Sequence, residues 1–485
     1  MLNIVLALLS AVLLILTFPG FHFAWLAAVA LTPLLIAVAR ERRWLRRFGL
    51  GWLAGFVYWF GVCYWIENVL ARYAGVGNAV AWMLFTLFAV TKALHMAVFA
   101  MVAGILIRRW WAVPAVAAWW VAVEVTHGPL GFAWLALGDA GIDMGVPLRL
   151  APITGVYGLS FVFAMMATAL ALAFLRRPRF ELLWLLLLPF LIFLPRMPGA
   201  ERGEDAALLL QPNISEDTQW TEDSVYQTEQ DLAQLTLEGA EVQRTHPPSI
   251  AVWPEVPAPF YYDEDARFHN LMDELARQAH VSLLIGVVGH TGGGQPLNSA
   301  QLIGPSGLPL SRYDKVNLVP FGEFVPWPFG LLANKVSTEV GDFAPGRGVV
   351  VSPVDGHKIG AFICYESVFP NFVRRFVADG AEVLFNISND GWFGKSAARE
   401  QHLRIVRMRA AENRRWILRS TNDGVTATID SAGRLRGTLP LYMQATSYTG
   451  FNYISDKTIY TRFGDWFALL CATITLLCLV AERVM

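Results

Sequence analysis

Apolar residues dominate the chain in long runs up to about residue 196. They shorten between 201 and 462, where polar and charged stretches separate them, and return in one last run at 466–480. A helix that crosses a bilayer needs about 20 mainly apolar residues. By that measure the first part predicts spans at 2–18, 21–38, 50–66, 79–107, 112–125, 150–175 and 182–194, and the last run is an eighth. The first run lacks the basic start and small-residue cleavage site of a signal peptide, and another span follows it at once. The middle part has a different rhythm. Short apolar runs at 207–214, 249–255, 281–288, 298–304, 358–366, 381–390 and 416–424 predict strands, with helix-like stretches at 224–239, 263–278 and 397–415 between them. This order predicts an α/β or α+β sandwich with a largely buried sheet.

Composition agrees with a membrane protein: 55% of the 485 residues are hydrophobic and 16% are charged, where soluble domains carry about 25% charged residues. Basic clusters orient the spans. The clusters Arg40–Arg47, Arg108–Trp111 and Arg176–Arg179 follow spans two, four and six. They fall on one side if the spans alternate, and Lys/Arg-rich loops stay cytoplasmic. Both termini are then cytoplasmic, and the middle part lies on the opposite face, the periplasm of a bacterium. The expected organisation is a membrane bundle over 1–196, a soluble domain over 197–463 and an anchor over 464–485. The net charge of −1 offers no global field for nucleic acid. Four cysteines, three of them in long apolar runs, make no disulfide framework. The nine histidines form no HExxH motif and no Cys/His cluster, so neither a metal site nor a cofactor is expected.

Chemistry gathers where the strands of such sheets end. The run 358–366 ends near Cys364, with Tyr365 and Glu366 after it, and the run 249–255 ends on Glu255 with prolines around it. Lys315 and Glu323 lie in the intervening "YDKVNLVPFGEFVP". A free cysteine in an apolar run is most simply a core residue. Taken singly, Glu255 reads as a loop carboxylate and Lys315 as a surface lysine. Together they can do more. A thiol needs a base to become a nucleophile and positive charge for the oxyanion that follows. A glutamate supplies the first and a lysine ammonium the second, with the Tyr365 backbone N–H as a further donor. The trio is an acyl-transfer set that needs no histidine.

"WPE", "YDKVNLVPFGE" and "CYE", in that order, resemble the Glu–Lys–Cys set of the nitrilase (carbon–nitrogen hydrolase) superfamily. "LVPFGEFVP", "NISNDGWFG", the stretch 401–424 and "TIYTRFGDW" add a closer resemblance, to the bacterial apolipoprotein N-acyltransferases. The resemblance implies a multi-span α-helical membrane bundle carrying an αββα nitrilase-like sandwich. It implies Glu255 as general base, Lys315 as the lysine and Cys364 as the nucleophile. Glu323 becomes a second, orienting glutamate, and Tyr365 and Glu366 support the nucleophile. Trp220 takes the position of a tryptophan in a mobile arm. The implied reaction moves an acyl chain from a phospholipid, typically phosphatidylethanolamine, to the α-amine of a diacylglyceryl-cysteine lipoprotein by way of a Cys thioester, at the inner membrane. The chain departs from the family pattern at Ala133, where a proline is usual, over 137–141, and at Gly391, where an alanine is usual.

Other features have their own readings. The apolar stretch 321–336, with Trp327, reads as a core segment or as a lid dipping into the membrane interface that shields the thioester. Lys92, His95, Glu67 and Glu124 lie in or at the ends of spans, and a Lys92–Glu124 pair inside the bundle is expected. The arginines of 404–415 read as a solvated face or as buried pairs, with one or two able to meet a lipid phosphate. Two competing functions remain at this level. A membrane-tethered amidase would use the same trio with water as acceptor. A transporter or scaffold would carry a degenerate nitrilase fold, which an intact trio and apolar spans disfavour.

Overall fold

The computed structural model describes residues 1–73, 76–130, 132–176, 179–241, 246–324 and 343–484. The chain divides into two compact units: Met1–Ala71, Gly77–Met197 and Thr458–Met485 form one, and Arg72–Val76 with Pro198–Lys457 form the other. The first unit is helical. Asn78–Leu106 and Val156–Phe174 are long and apolar enough to cross a membrane, and Trp44–Val62 with Trp65–Arg72 does so as a pair bent by 59°. Leu2–Thr17, Ala24–Arg40, Ala112–His127, Phe180–Phe193 and Trp466–Ala481 are shorter apolar helices. Glycines let Trp44–Val62 approach Asn78–Leu106 closely. A Cβ on Gly51 would lie 2.4 Å from the Ala100 Cβ, and one on Gly55 2.8 Å from the Met96 Cβ. Small residues at such crossings are how apolar helices gain packing where no hydrophobic drive separates them from lipid. The expected Lys92–Glu124 pair does not form. The Lys92 ammonium lies 2.6 Å from His127 Nδ1 and donates to the Phe132 carbonyl at 2.9 Å. Glu124 instead accepts from Trp120 Nε1 and the Leu137 N–H. Each side chain finds other polar partners, a histidine and a carbonyl for Lys92 and two N–H donors for Glu124, so the two do not need one another.

In the second unit the described strands form two six-stranded sheets. The first contains β1 (Asp205–Gln211), β2 (Ile250–Val252), β3 (Ser282–His290), β4 (Pro296–Ile303), β5 (Pro309–Asp314) and β12 (Ala445–Phe451), in the order β12-β1-β2-β3-β4-β5. The second contains β6 (Val351–Val354), β7 (His357–Ile363), β8 (Val383–Ser388), β9 (Ile417–Thr421), β10 (Ala427–Ile429) and β11 (Leu435–Thr438), in the order β11-β10-β9-β8-β7-β6. β1, β2 and β3 pair in parallel, as do β7, β8 and β9; antiparallel strands flank both sets. The parallel strands are the buried apolar runs, because crossover helices cover them. Two such helices, Glu222–Glu241 and Ala266–Ala279, pack a core of Leu208, Leu210, Trp253, Phe260, Phe268 and Met272 against the first sheet. The Ser420 hydroxyl donates to the Leu210 carbonyl, and Thr428 to Thr449, joining one sheet to the other.

All seven expected strands are present, and this is the two-sheet nitrilase-like sandwich. The helix over 397–415 is Ala398–Asn413; Arg404 and Arg409 on it are buried and Arg407 is half-buried, with Arg409 paired to Glu412 at 2.8 Å, and the buried Arg415 just beyond its end donates to the Ala381 and Asp456 carbonyls. Substituting Phe268, fully buried with its ring 4.6 Å from Phe260, by alanine is expected to cost about 3–5 kcal/mol. Replacing Arg277, in an exposed i,i+3 pair with Glu274, should cost under about 1 kcal/mol. Denaturant melts of the two detergent-solubilised variants check the difference.

Candidate active site

The site residues sit just beyond strand ends. After β2, the Trp253 N–H continues the ladder onto the Leu284 carbonyl, and the chain then turns through Pro254, Glu255 and Val256. This turn lies directly on Gly286 of β3, where a Cβ would come within 2.2 Å of the Pro254 carbonyl oxygen. A glycine there is what lets Glu255 lean over the sheet. Lys315 follows β5, and its N–H donates to the Asn298 carbonyl, so the β4–β5 ladder aims its side chain inward. The Lys315 ammonium, almost fully buried, donates to Glu255 Oε1 at 2.9 Å and to Glu323 Oε1 at 3.0 Å. Asn298 Nδ2 donates to the same two oxygens at 2.8 and 2.7 Å. Burial acts to lower the Lys315 pKa, but Glu255 and Glu323 outweigh it and hold the ammonium well above the ordinary lysine range. Glu323 is fixed by the Val319 N–H on its other oxygen, and Glu255 by the Asn389 N–H at 2.8 Å.

Cys364 follows β7 directly and starts the 3-10 turn Cys364–Val368, with φ +47°. A non-glycine residue in the left-handed region is uncommon, and such strain concentrates at functional sites. The turn is held from below. Glu366 is buried and accepts from the Ile363, Val316 and Asn317 N–H groups and from the Tyr313 hydroxyl. Burial pushes the Glu366 carboxyl up to about 7, while these donors pull against it. The three N–H groups can only donate, so they favour the ionised carboxylate against the effect of burial. Burial also pushes the Cys364 thiol up; the Glu255 charge adds to this and the Lys315 charge opposes it. The resting sulfur is therefore a thiol, which would need a base to act as a nucleophile.

A buried group of polar residues underlies Cys364. His402 Nε2 lies 3.1 Å from the Cys364 carbonyl oxygen and 2.8 Å from Ser367 Oγ. Its Nδ1 is 3.0 Å from Asp390 Oδ1, and Arg419 donates to both Asp390 oxygens. Burial would raise the Asp390 carboxyl, but Arg419 and His402 hold it far below the usual carboxylate range. Asn389 Oδ1 accepts from the Gly391 N–H.

The structure thus brings Glu255, Lys315 and Glu323 into direct contact and places Cys364 within their electrostatic reach. Tyr365 is buried, its ring edge-on to Phe369. Trp220 is exposed just ahead of the helix Glu222–Glu241. Trp327 lies outside the described residues, as does the stretch 321–336 from residue 325 onward. Sequence reasoning missed Asn298, His402 and Arg419. A polar residue in the middle of an apolar strand was the signal for Asn298 and for Arg419; His402, inside an arginine-rich helix, gave none.

The description "Carbon-nitrogen hydrolase" matches residues 207–449, and "Apolipoprotein N-acyltransferase N-terminal domain" matches residues 10–169. An apolipoprotein N-acyltransferase of Geobacter metallireducens is 33% identical over 96% of this chain and 92% of its own. That of Pseudomonas putida is 31% identical over 95% and 93%. Among solved structures, an amidase from Nesterenkonia sp. covers 56% of this chain and 98% of its own, with 17% identity and a TM-score of 0.42. With both halves matched and the relatives covered nearly end to end, the chain belongs to the apolipoprotein N-acyltransferase family.

Proposed function

We propose that the chain moves an acyl chain from a membrane phospholipid to the N-terminal amine of a diacylglyceryl lipoprotein, with Cys364 as the carrier. The Cys364 sulfur attacks the ester carbonyl while Glu255 takes the thiol proton. The lysophospholipid leaves, and a thioester enzyme remains. The acceptor amine then attacks that thioester, and Glu255 again handles the proton. Lys315 faces the oxyanion of each tetrahedral intermediate as a fixed positive charge in a dry site. Glu323 holds Lys315, and Glu366 with Tyr365 holds the turn that carries Cys364. The observation that carries this reading is the buried Lys315 ammonium shared between Glu255 and Glu323, with Cys364 inside the field of Lys315 and Glu255. Such an arrangement has no role in core stability that apolar residues would not fill better.

In this reading residues 1–196 are the membrane bundle, 197–463 the catalytic domain and 464–485 the anchor. The enzyme sits in the bacterial inner membrane with both termini in the cytoplasm and the catalytic domain in the periplasm, where its lipid donor and lipoprotein acceptor meet. Trp220 and Trp327 contact the substrates.

Incubating the purified protein with phosphatidylethanolamine should leave an acyl adduct on Cys364, detectable by mass spectrometry. Cys364→Ser and Glu255→Gln should each abolish it, since a serine hydroxyl is too weakly acidic for this base and a glutamine cannot accept the proton. Alanine at Cys63, Cys471 and Cys478 should leave it intact. An adduct that forms with undiminished rate in Glu255→Gln would remove Glu255 from the reaction. An adduct that water clears as fast as an amine does would favour the amidase reading.

Topology is checked separately. A reporter active only in the periplasm should be active when fused after Gly292 and silent when fused within 42–46. The opposite pattern would invert the orientation.

A further inference from the structure

One buried histidine touches Cys364 itself and has no part in the chemistry above. His402 comes from the helix Ala398–Asn413, and its ring is fully buried. Its Nε2 meets the Cys364 carbonyl oxygen at 3.1 Å and Ser367 Oγ at 2.8 Å. Its Nδ1 lies 3.1 Å from Arg419 Nη2 and 3.0 Å from Asp390 Oδ1. These partners assign the tautomer. The Cys364 carbonyl can only accept and Arg419 can only donate, so the hydrogen sits on Nε2 and the lone pair of Nδ1 faces Arg419. Asp390 accepts from Arg419 with both oxygens and keeps the guanidinium beside the ring. Burial, and then the Arg419 charge, push the His402 pKa below its ordinary value against the pull of Asp390, so the ring is neutral at pH 7. A buried Arg–Asp–His group is costly to assemble, and apolar residues would fill the same space with less desolvation.

The carbonyl that His402 holds belongs to the same peptide unit as the Tyr365 N–H. A trans peptide is planar and sends its N–H opposite to its C=O. The two directions lead to different sides of the second sheet. Side chains alternate along a strand. On β9 the Ser420 hydroxyl reaches the Leu210 carbonyl of the first sheet, so its neighbour Arg419 faces the other way, toward His402 and its helix. With the Cys364 carbonyl drawn to that outer side, the Tyr365 N–H is aimed inward. Glu255 and Lys315, which lie just beyond strands of the first sheet, come from that inner side. We propose that His402 is a positioning residue of the oxyanion site: by donating to the Cys364 carbonyl it fixes and polarises the peptide whose Tyr365 N–H meets the oxyanion beside Lys315. This rests on the acyl-transfer reading above. A hydrogen bond accepted at one end of a peptide unit strengthens the donor at its other end. The same bond holds Cys364 at its φ of +47°, and a relaxed backbone would swing the N–H off its target. The His402 proton stays on Nε2 throughout, and His402 acts only through the peptide.

The test compares two reactions of Cys364 in the full-length, detergent-solubilised enzyme. Acylation by phosphatidylethanolamine passes through an oxyanion. Alkylation by iodoacetamide uses the same sulfur and passes through none. His402→Phe fills the space of the ring and removes the donor. It should slow acylation by about 10- to 100-fold, while alkylation stays within about 3-fold of the wild-type rate. The loss should fall on the maximal acylation rate and leave the half-saturating phospholipid concentration unchanged, because the N–H meets an oxyanion only in the transition state. His402→Gln, whose amide can place an N–H where Nε2 was, should bring acylation back to within about 5-fold of wild type. His402→Asn, whose amide ends short of the carbonyl, should not, and it takes the place of His402→Phe if that variant fails to fold. Equal slowing of acylation and alkylation would make His402 a mere support of the turn and overturn the proposal, as would unchanged acylation in His402→Phe. A wild-type enzyme that is alkylated normally but forms no acyl adduct would instead strike the acyl-transfer reading itself.

Discussion

The site depends on one buried cation. Lys315 is out of water and bonded to two carboxylates, and each of those would be unstable there without it. Removing one partner of a buried charge pair is more damaging than never having built the pair, because the survivor is left unneutralised in a poor solvent for ions. The same holds for Asn298, whose amide donates to both carboxylates at once. Glu255, Glu323, Lys315 and Asn298 therefore behave as a unit, and single substitutions among them should not add.

The unit also stitches the two sheets together. Glu255, beyond a strand of the first sheet, accepts from Asn389, beyond a strand of the second. Glu366, beyond β7 of the second sheet, accepts from Tyr313, Val316 and Asn317 at the end of the first. The two carboxylates reach in opposite directions across the sandwich. Glu255 and Cys364 belong to different sheets, and these reciprocal bonds fix their separation. The His402–Asp390–Arg419 group supports the Cys364 turn from beneath, so its backbone strain is held on both sides.

The sequence made the buried parallel strands legible, because helices cover one face of each sheet and the other sheet covers the second, which leaves unbroken apolar runs. It hid β5, β6, β10, β11 and β12. Leu435–Thr438 is fully exposed, Ala427–Ile429 is three residues long, and β6 contains Pro353. These strands owe their existence to neighbours that pair with them, which a local pattern cannot report. The trio was legible through motif order and strand-end position. The hydrogen bonds that orient it were not, since Asn298 and His402 lie far along the chain from the groups they serve. The Lys92–Glu124 expectation failed for a related reason: opposite charges in apolar surroundings suggested a pair, but a histidine and backbone groups were closer.

The antiparallel register of β1 with β12 joins Asp205 to Phe451 and Gln211 to Ala445. Everything between them, including the whole second sheet, must be made before that edge can close. Pairings so distant along a chain form slowly, because loop closure comes before the contacts that reward it. The first half of the sandwich thus waits, with the β1 edge open, until residue 451 has left the ribosome. By then the last apolar helix, starting at Trp466, is the next segment to emerge. Maturation of the catalytic unit and seating of the final helix are consecutive events in biosynthesis, and a truncation after β11 would strand an unpaired edge prone to self-association.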